Sequence, residues 1–118
     1  MKIILVDDEQ KFITMLAKRL GFRGIQADAV FTGDDAIQKV RDSKYDVAVL
    51  DIKMPGISGL KLKAELSSLD PELKFIFVTG HGGKQAGDPA QKDIYLSKPL
   101  DIDLLIKQMG MTVHGSNA

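Results

Sequence analysis

The chain has 118 residues, 44% of them hydrophobic and 27% charged, a length and composition that suit one globular domain. Sixteen basic residues balance sixteen acidic ones, so no overall charge favours binding to nucleic acid or to a membrane surface. Cysteine is absent, which excludes disulfides, thiolate metal sites and cysteine nucleophiles. No signal peptide is recognisable and no apolar run approaches the roughly 20 residues of a membrane span, so we expect a cytoplasmic protein without membrane insertion.

Five short apolar runs predict β-strands. In chain order they are Ile3 to Val6, Ile25 to Val30, Val47 to Leu50, Phe75 to Val78 and Ile94 to Leu96. The first, third and fourth runs are continuous rather than alternating, which is typical of strands that are covered on both faces in a parallel sheet.

Helical patterns separate the strand-like runs. Apolar stripes occur at Phe12, Leu16 and Leu20 (with Gly21 as the expected stop), at Ala36, Ile37 and Val40, at Leu60, Ala64 and Ser67, and at Leu100, Leu104 and Ile106. Strands that alternate with helices predict an α/β fold, a doubly wound parallel sheet of five strands with helices on both faces. We expect this domain to cover residues 1–109 and residues 110–118 to form a flexible C-terminal tail.

Polar side chains follow the predicted strands at the point where each strand ends. Asp7 and Asp8 follow the first strand, Asp51 ends the third, Thr79 ends the fourth and Lys98 follows the fifth. Because the carboxyl ends of parallel strands meet at one edge of a sheet, we expect all five groups to lie close together there.

The chemistry of this set indicates a phosphoryl site. Three neighbouring carboxylates repel one another unless a cation intervenes, and oxygen ligands without His or Cys point to Mg²⁺. Lys98 offers a compact positive charge for a phosphoryl oxygen, and Thr79 offers a hydroxyl. Asp51 is then the best-placed nucleophile for an aspartyl phosphate.

Taken one at a time, these residues have simpler interpretations. Asp7 and Asp8 suit a helix N-cap, Asp51 suits a turn before Pro-Gly, and an isolated Lys98 is usually a solvated surface charge. The prediction therefore depends on the whole set. The glycine-rich TGHGG at 79–83 lacks the spacing of a nucleotide-binding loop, and the two histidines show no metal-binding pattern.

The sequence resembles the receiver domain of two-component response regulators. The matching motifs are LVDDE at 5–9, LDIKMPGISGL at 50–60, FVTGH at 77–81 and YLSKP at 95–99, and the resemblance extends over roughly residues 2 to 109. It implies the flavodoxin-like strand order 2-1-3-4-5. It also implies a function: Mg²⁺-dependent transfer of a phosphoryl group from a sensor histidine kinase or phosphotransfer protein, which switches binding to a downstream protein partner.

The resemblance also implies roles for individual residues. Asp51 would be the phosphoacceptor, and Mg²⁺ would be held by Asp7, Asp8, Asp51 and the backbone carbonyl of Lys53. Thr79 and Tyr95 would change position together as the switch, and Pro99 would follow the lysine in what is often a cis peptide. Lys53 and His81, each two positions after a site residue, would modulate the lifetime of the phosphoryl group.

One segment departs from the family pattern. Fewer residues separate Thr79 from Lys98 than is usual in the family. The segment GHGGKQAGDPAQKDI at 80–94 contains four glycines and a proline, the poorest helix formers, and these leave only Lys84 to Ala86 between Gly83 and Gly87. We therefore expect the fourth helix of the fold to be short or irregular. Members of the family usually dimerise and bind output partners through the surface that this helix helps to form. We therefore do not expect the usual mode of dimerisation and output here.

Three classes of function remain to be compared. The first is a phosphorylation-controlled switch that assists its own phosphorylation and dephosphorylation without turning over an external substrate. The second, an aspartate-nucleophile phosphatase, usually needs an acid two residues after the nucleophile, where this chain has Lys53. The third is a protein-interaction module that works without phosphorylation. We expect the first, with no direct contact to nucleic acid.

Overall fold

The computed structural model describes residues 1–80 and 94–114, and side chains as far as Thr112. Strands and helices alternate from the N-terminus. The strands are β1 (Lys2–Val6), β2 (Gln26–Val30), β3 (Val47–Asp51), β4 (Lys74–Thr79) and β5 (Ile94–Ser97). The helices within the described residues are α1 (Gln10–Phe22), α2 (Gly33–Asp42), α3 (Gly59–Leu69) and α4 (Ile102–His114).

The five strands form one parallel sheet in the order β2-β1-β3-β4-β5. The predicted doubly wound α/β fold and its strand order are therefore confirmed. β3 lies at the centre of the sheet and all five of its residues are buried, which explains its continuous apolar sequence. Because all strands point the same way, their carboxyl ends form one edge.

Alternate residues of the strands pack on opposite faces of the sheet. Ile3 and Leu5 of β1 join the core that α1 and α4 cover, with Leu16 and Leu105 among its helical members. Ile4 and Val6 belong to the other core, which α2 and α3 cover; its helical members are Ala36, Val40, Leu62 and Leu66. Burial of the sheet on both sides gives the strands a rigid frame for any group at their ends.

Two of the predicted helical stripes differ from the observed ones. In α3 the buried residues are Leu62 and Leu66, whereas Leu60 is 38% exposed. The Ser58 side chain caps α3 by accepting a hydrogen bond from the backbone N–H of Lys61. Leu62 and Leu66 are four residues apart and therefore share the face that turns inward. In α4, Leu105 and Met109 are buried in the core and the predicted Ile106 packs against it, whereas the predicted Leu104 is exposed.

The C-terminal helix runs farther than expected. α4 extends to His114, so residues 110–114 are helical where the sequence predicts a flexible tail from residue 110. Met109, fully buried, anchors the last turns of α4 against the sheet. The predicted short or irregular fourth helix falls at 80–93, and 81–93 lie outside the described residues. Among the helices described here, none is long and apolar enough to cross a membrane.

Candidate functional site

Three carboxylates meet at the carboxyl edge of the sheet. β1 and β3 are neighbours, and the pairing of Val6 with Leu50 brings Asp7 beside Asp51. Asp8 follows on the loop, and one carboxylate oxygen from each of the three residues lies within 4.8 Å of the others. Asp7 and Asp51 are buried while Asp8 is exposed, so the cluster has a closed side and a side open to solvent.

The segment after β3 wraps closely around Asp51. The backbone N–H of Ile52 donates to the carbonyl of Val78 at 3.0 Å, and that of Gly59 donates to the carbonyl of Ile52 at 2.9 Å. A Cβ at Gly59 would lie 2.5 Å from the Asp51 carbonyl oxygen, so only glycine permits this approach. The backbone N–H of Lys53 donates to Asp51 Oδ1 at 3.3 Å, while the Lys53 side chain is exposed.

Lys98 reaches the carboxylates from β5. Its backbone N–H donates to the carbonyl of Thr79 at 2.8 Å, which fixes the start of its side chain at the strand edge. The ammonium Nζ lies 2.9 Å from Asp7 Oδ2 and 3.9 Å from Asp51 Oδ2, and it also donates to Glu9 Oε1. The same Nζ lies 4.8 Å from the centroid of the Phe12 ring, within cation–π range.

The charges of the site shift two pKa values. Burial, followed by the nearby charge of Asp7, raises the pKa of Asp51 from 3.8 to about 6, although Lys98 and the Lys53 N–H favour its ionised form. For Lys98, burial lowers the pKa, but the hydrogen bonds to Glu9 and Asp7 outweigh this effect and leave the pKa raised. Asp51 is therefore ionised at neutral pH at an electrostatic cost, and Lys98 is charged.

The donor set fits a divalent cation. Two buried carboxylates and one exposed carboxylate converge, and among the described residues Lys98 is the ammonium paired with them, so this part of the cluster keeps excess negative charge. Mg²⁺ favours this combination, in which one or two carboxylates bind the ion and solvent fills other positions. Within the described residues 1–80 and 94–112, no His or Cys joins the cluster, and this all-oxygen donor set favours Mg²⁺ over zinc.

The remaining predicted residues lie near the cluster or outside the described chain. Thr79 ends β4 and pairs with Ser97 of β5. Tyr95 is partly buried, and its ring stacks on Phe77 with centroids 5.3 Å apart. The Lys98–Pro99 peptide is cis, as the family resemblance led us to expect. His81 lies outside the described residues.

The sequence predicts no role at the site for two neighbours of Lys98. Glu9 belongs to the LVDDE motif, in which only the two aspartates before it are predicted to be site residues. Phe12 was assigned to the apolar face of the first helix. An acid directly after the Asp pair, with an aromatic residue one helical turn later, is the only local signal, and Lys98 is 89 positions away from Glu9.

Comparison with known proteins identifies the family. The profile of the response regulator receiver domain matches residues 3–110. The chain belongs to this family and is a receiver domain of the two-component response regulators.

Relatives and solved structures agree with this assignment. The two-component response regulator PhoP of Pseudomonas aeruginosa is 32% identical over an alignment of 120 positions that covers 99% of this chain and 53% of that protein. The response regulator TrrA of Thermotoga maritima, solved with Mg²⁺ and BeF, is 28% identical, with a TM-score of 0.82 and coverage of 94% of this chain and 97% of that one. A structure of histidine kinase ThkA in complex with TrrA matches at 29% identity, TM-score 0.83, and 95% and 97% coverage.

The chain spans about half the length of the curated relatives it matches.

Proposed function

We propose that this receiver domain accepts a phosphoryl group on Asp51 from the phosphohistidine of a sensor kinase or phosphotransfer protein, and that the modified state binds a downstream protein. The observation that carries the proposal is the meeting of Asp51, Asp7 and Lys98 at one strand edge. The kinase complex of TrrA supports a histidine kinase as donor, and its Mg²⁺–BeF complex supports phosphoryl chemistry with magnesium.

In the proposed reaction a carboxylate oxygen of Asp51 attacks phosphorus, and the bond from phosphorus to the donor nitrogen breaks as the phosphoryl group is transferred. Asp51 is suited to this attack because its pKa of about 6 leaves it ionised at neutral pH. Lys98, 3.9 Å from Asp51 Oδ2, is close enough to neutralise charge on the transferred group. The rigid, fully buried β3 holds the nucleophile in position.

We infer that Asp7, Asp8, Asp51 and the Lys53 carbonyl hold Mg²⁺ when the ion binds. The ion supplies positive charge to the phosphoryl oxygens. Thr79, Tyr95 and the segment around Pro99 carry the proposed switch, since they lie on β4, β5 and the loop after it beside Lys98. Lys53 and His81 are proposed to modulate the lifetime of the phosphoryl group.

The donor protein needs a surface that borders Asp51, because its histidine must reach the carboxylate. An apolar groove of about 400 Å³ lies between α1 and the segment after β5, lined by Phe12, Met15, Leu16, Pro99, Leu100 and Ile102 and bordered by Lys11 and Arg19. Phe12 connects this groove to Lys98. We propose the groove as the donor's docking surface, with the two cations facing acidic residues of the donor.

The central experiment is incubation of the protein with acetyl phosphate and Mg²⁺, followed by mass spectrometry. One phosphoryl group is expected on wild type and none on Asp51→Asn or in excess EDTA. The exposed Glu65 on α3 supplies a control, since Glu65→Gln leaves the site untouched. A wild-type protein that takes no phosphoryl group, or an Asp51→Asn variant that takes as much, contradicts the proposal.

The docking proposal has its own test. Met15 is 56% exposed on the groove, and Met15→Lys is expected to slow phosphorylation by a partner kinase while acetyl phosphate still modifies Asp51 at the wild-type rate. Equal slowing with both donors would show damage to the site itself.

The domain is expected to turn over no external substrate, to act in the cytoplasm and to make no direct contact with nucleic acid.

The alternative is an interaction module that needs no phosphorylation. An Asp51→Asn protein that binds and releases its downstream partner as the wild type does would favour it. The clustering of a buried nucleophile with Lys98 and two further carboxylates argues for the phosphorylated switch instead.

A further inference from the structure

Lys98 is held away from Asp51 by partners on the loop between β1 and α1 and in the first turn of α1. Its ammonium donates to Glu9 Oε1 and to Asp7 Oδ2 at 2.9 Å, but stays 3.9 Å from Asp51 Oδ2. The ring of Phe12 lies under the same ammonium, 4.8 Å from centroid to Nζ. The ammonium is nearer to Glu9 and Asp7 than to the nucleophile, and these two contacts define a resting position for the lysine.

Glu9 differs from the other acids around Lys98. It is outside the group of three carboxylates that come within 4.8 Å of one another, so it is free of the metal-binding role proposed for Asp7. Its side chain is 60% exposed whereas that of Lys98 is 17% exposed, so Glu9 contacts the lysine from the solvent side. A cation bound to Asp7 would weaken that residue's hold on Lys98 and leave Glu9 as the main competitor for it.

The Glu9 side chain has no other visible task among the described residues. Glu9 is the N-cap residue of α1, but its side chain makes no capping hydrogen bond. The backbone N–H of Glu9 donates to Asp7 Oδ1 at 2.9 Å, and its carbonyl accepts from the N–H of Ile13 at 3.0 Å. Glu9→Gln and Glu9→Asp keep both backbone contacts, so both variants are expected to fold.

We propose that Glu9, assisted by the face of Phe12, is a positioning residue that holds Lys98 in a resting position and competes with the phosphoryl group for its ammonium. The inference rests on the proposed phosphorylation of Asp51. Phosphorylation then requires an exchange of partners, in which Lys98 leaves Glu9 for a phosphoryl oxygen, so the Glu9 contact slows modification and disfavours the modified state.

The variants Glu9→Gln and Glu9→Asp distinguish the direct ion pair with Lys98 from the mere presence of a negative charge at position 9. Glu9→Gln removes the charge, whereas Glu9→Asp keeps it and withdraws the carboxylate by one methylene. If the contact is what matters, both variants are expected to be phosphorylated by acetyl phosphate at saturating Mg²⁺ about two- to fivefold faster than wild type, the range expected for a partly exposed ion pair. Phe12→Leu should give a smaller increase, and Glu65→Gln none.

A second readout is independent of phosphorylation. The ammonium signal of Lys98 in ¹⁵N-lysine NMR spectra of the protein in EDTA, assigned with Lys98→Arg, should shift in both Glu9 variants and exchange faster with water. Wild-type rates in both variants, or an acceleration confined to Glu9→Gln, would overturn the inference, as would an unchanged Lys98 signal. If wild type takes no phosphoryl group, the proposed function fails, and the NMR signal still decides whether Glu9 holds Lys98.

Discussion

Replacing Asp51 by asparagine should stabilise the protein when no divalent cation is bound. Asp51 is 7% exposed and lies beside Asp7, and these surroundings raise its pKa from 3.8 to about 6. Asparagine is nearly isosteric and still accepts the hydrogen bond from the Lys53 N–H, but it carries no charge to bury. The variant therefore removes the cost of ionisation and keeps the packing at the end of β3.

The size and the pH dependence of the effect follow from the pKa. A rise from 3.8 to about 6 corresponds to about 3 kcal/mol at 1.36 kcal/mol for each unit, and we expect about 1–2 kcal/mol because the open side of the cluster admits water. Since the folded-state pKa is the higher one, the unfolded chain loses this proton first as pH rises. The stability that the Asp51 carboxyl group contributes is full below pH 3.8 and is lost as the pH rises to about 6.

The assay is equilibrium unfolding in urea, followed by circular dichroism, at pH 7.5 and pH 5 in EDTA. Asp51→Asn should unfold at higher urea than wild type at pH 7.5 with an unchanged m-value, and the difference should shrink at pH 5. Glu65→Gln, on the exposed face of α3, serves as the control for removal of an acid far from the site. A variant no more stable than wild type at pH 7.5, or a difference that is equal at both pH values, would refute the reasoning.

Magnesium provides an independent check on the same free energy. An ion that binds only the folded state stabilises it by RT ln(1 + [L]/Kd), which is about 1.4 kcal/mol at ten times Kd. Mg²⁺ should therefore raise the wild-type midpoint more than that of Asp51→Asn and narrow or reverse the difference between them. Identical stabilisation of both proteins by Mg²⁺ would show that Asp51 is not a ligand.

Further predictions concern the frame around the site. Tyr45→Phe deletes the 2.6 Å hydrogen bond from the buried hydroxyl to Asp28 Oδ2 and should cost about 1–2 kcal/mol in urea unfolding. Burial and this hydrogen bond raise the pKa of Tyr45, so wild-type stability should fall as pH rises above about 10, and less so in Tyr45→Phe. Gly59→Ala places a Cβ 2.5 Å from the Asp51 carbonyl oxygen and should cost about 2 kcal/mol or more, whereas Gly110→Ala in α4, with open space around it, should be neutral or stabilising by up to about 1 kcal/mol. Equal unfolding midpoints for the two alanine variants would contradict the close approach at Gly59.

The sequence predicted the strands and their order better than the faces of the helices. A fully buried strand such as β3 shows as an unbroken apolar run, and the strand-end rule then places Asp7, Asp51 and Lys98 at one edge. In α3 the leucines at 60, 62 and 66 fit more than one apolar stripe, and the structure buries Leu62 and Leu66 while Leu60 is exposed.

The contacts of Lys98 show what sequence patterns omit. Its neighbours Asp7 and Glu9 lie on the loop between β1 and α1, about 90 positions away in the chain, and Asp51 ends β3. The choice between these three carboxylates is decided by differences of about 1 Å in the reach of a flexible side chain. No spacing or propensity encodes such a choice. Strand ends determine which residues meet, but side-chain packing determines which of them pair.

The proposed switch depends on the free-energy difference between its resting and its phosphorylated arrangement. A two-state element responds to modification only when its two arrangements differ by a few kcal/mol. The site meets this condition from both sides: Asp51 is ionised at a cost of about 1–2 kcal/mol, and Lys98 rests on a partly exposed Glu9 in a contact worth about 1 kcal/mol or less. Neither term is large enough to trap the resting arrangement, and both change when a phosphoryl group draws Lys98 toward Asp51. Glu9→Leu would remove the contact that holds Lys98, and greater exposure of Asp51 would remove the cost of its ionisation. The proposed switch therefore needs both a buried nucleophile and a lysine with a second binding partner.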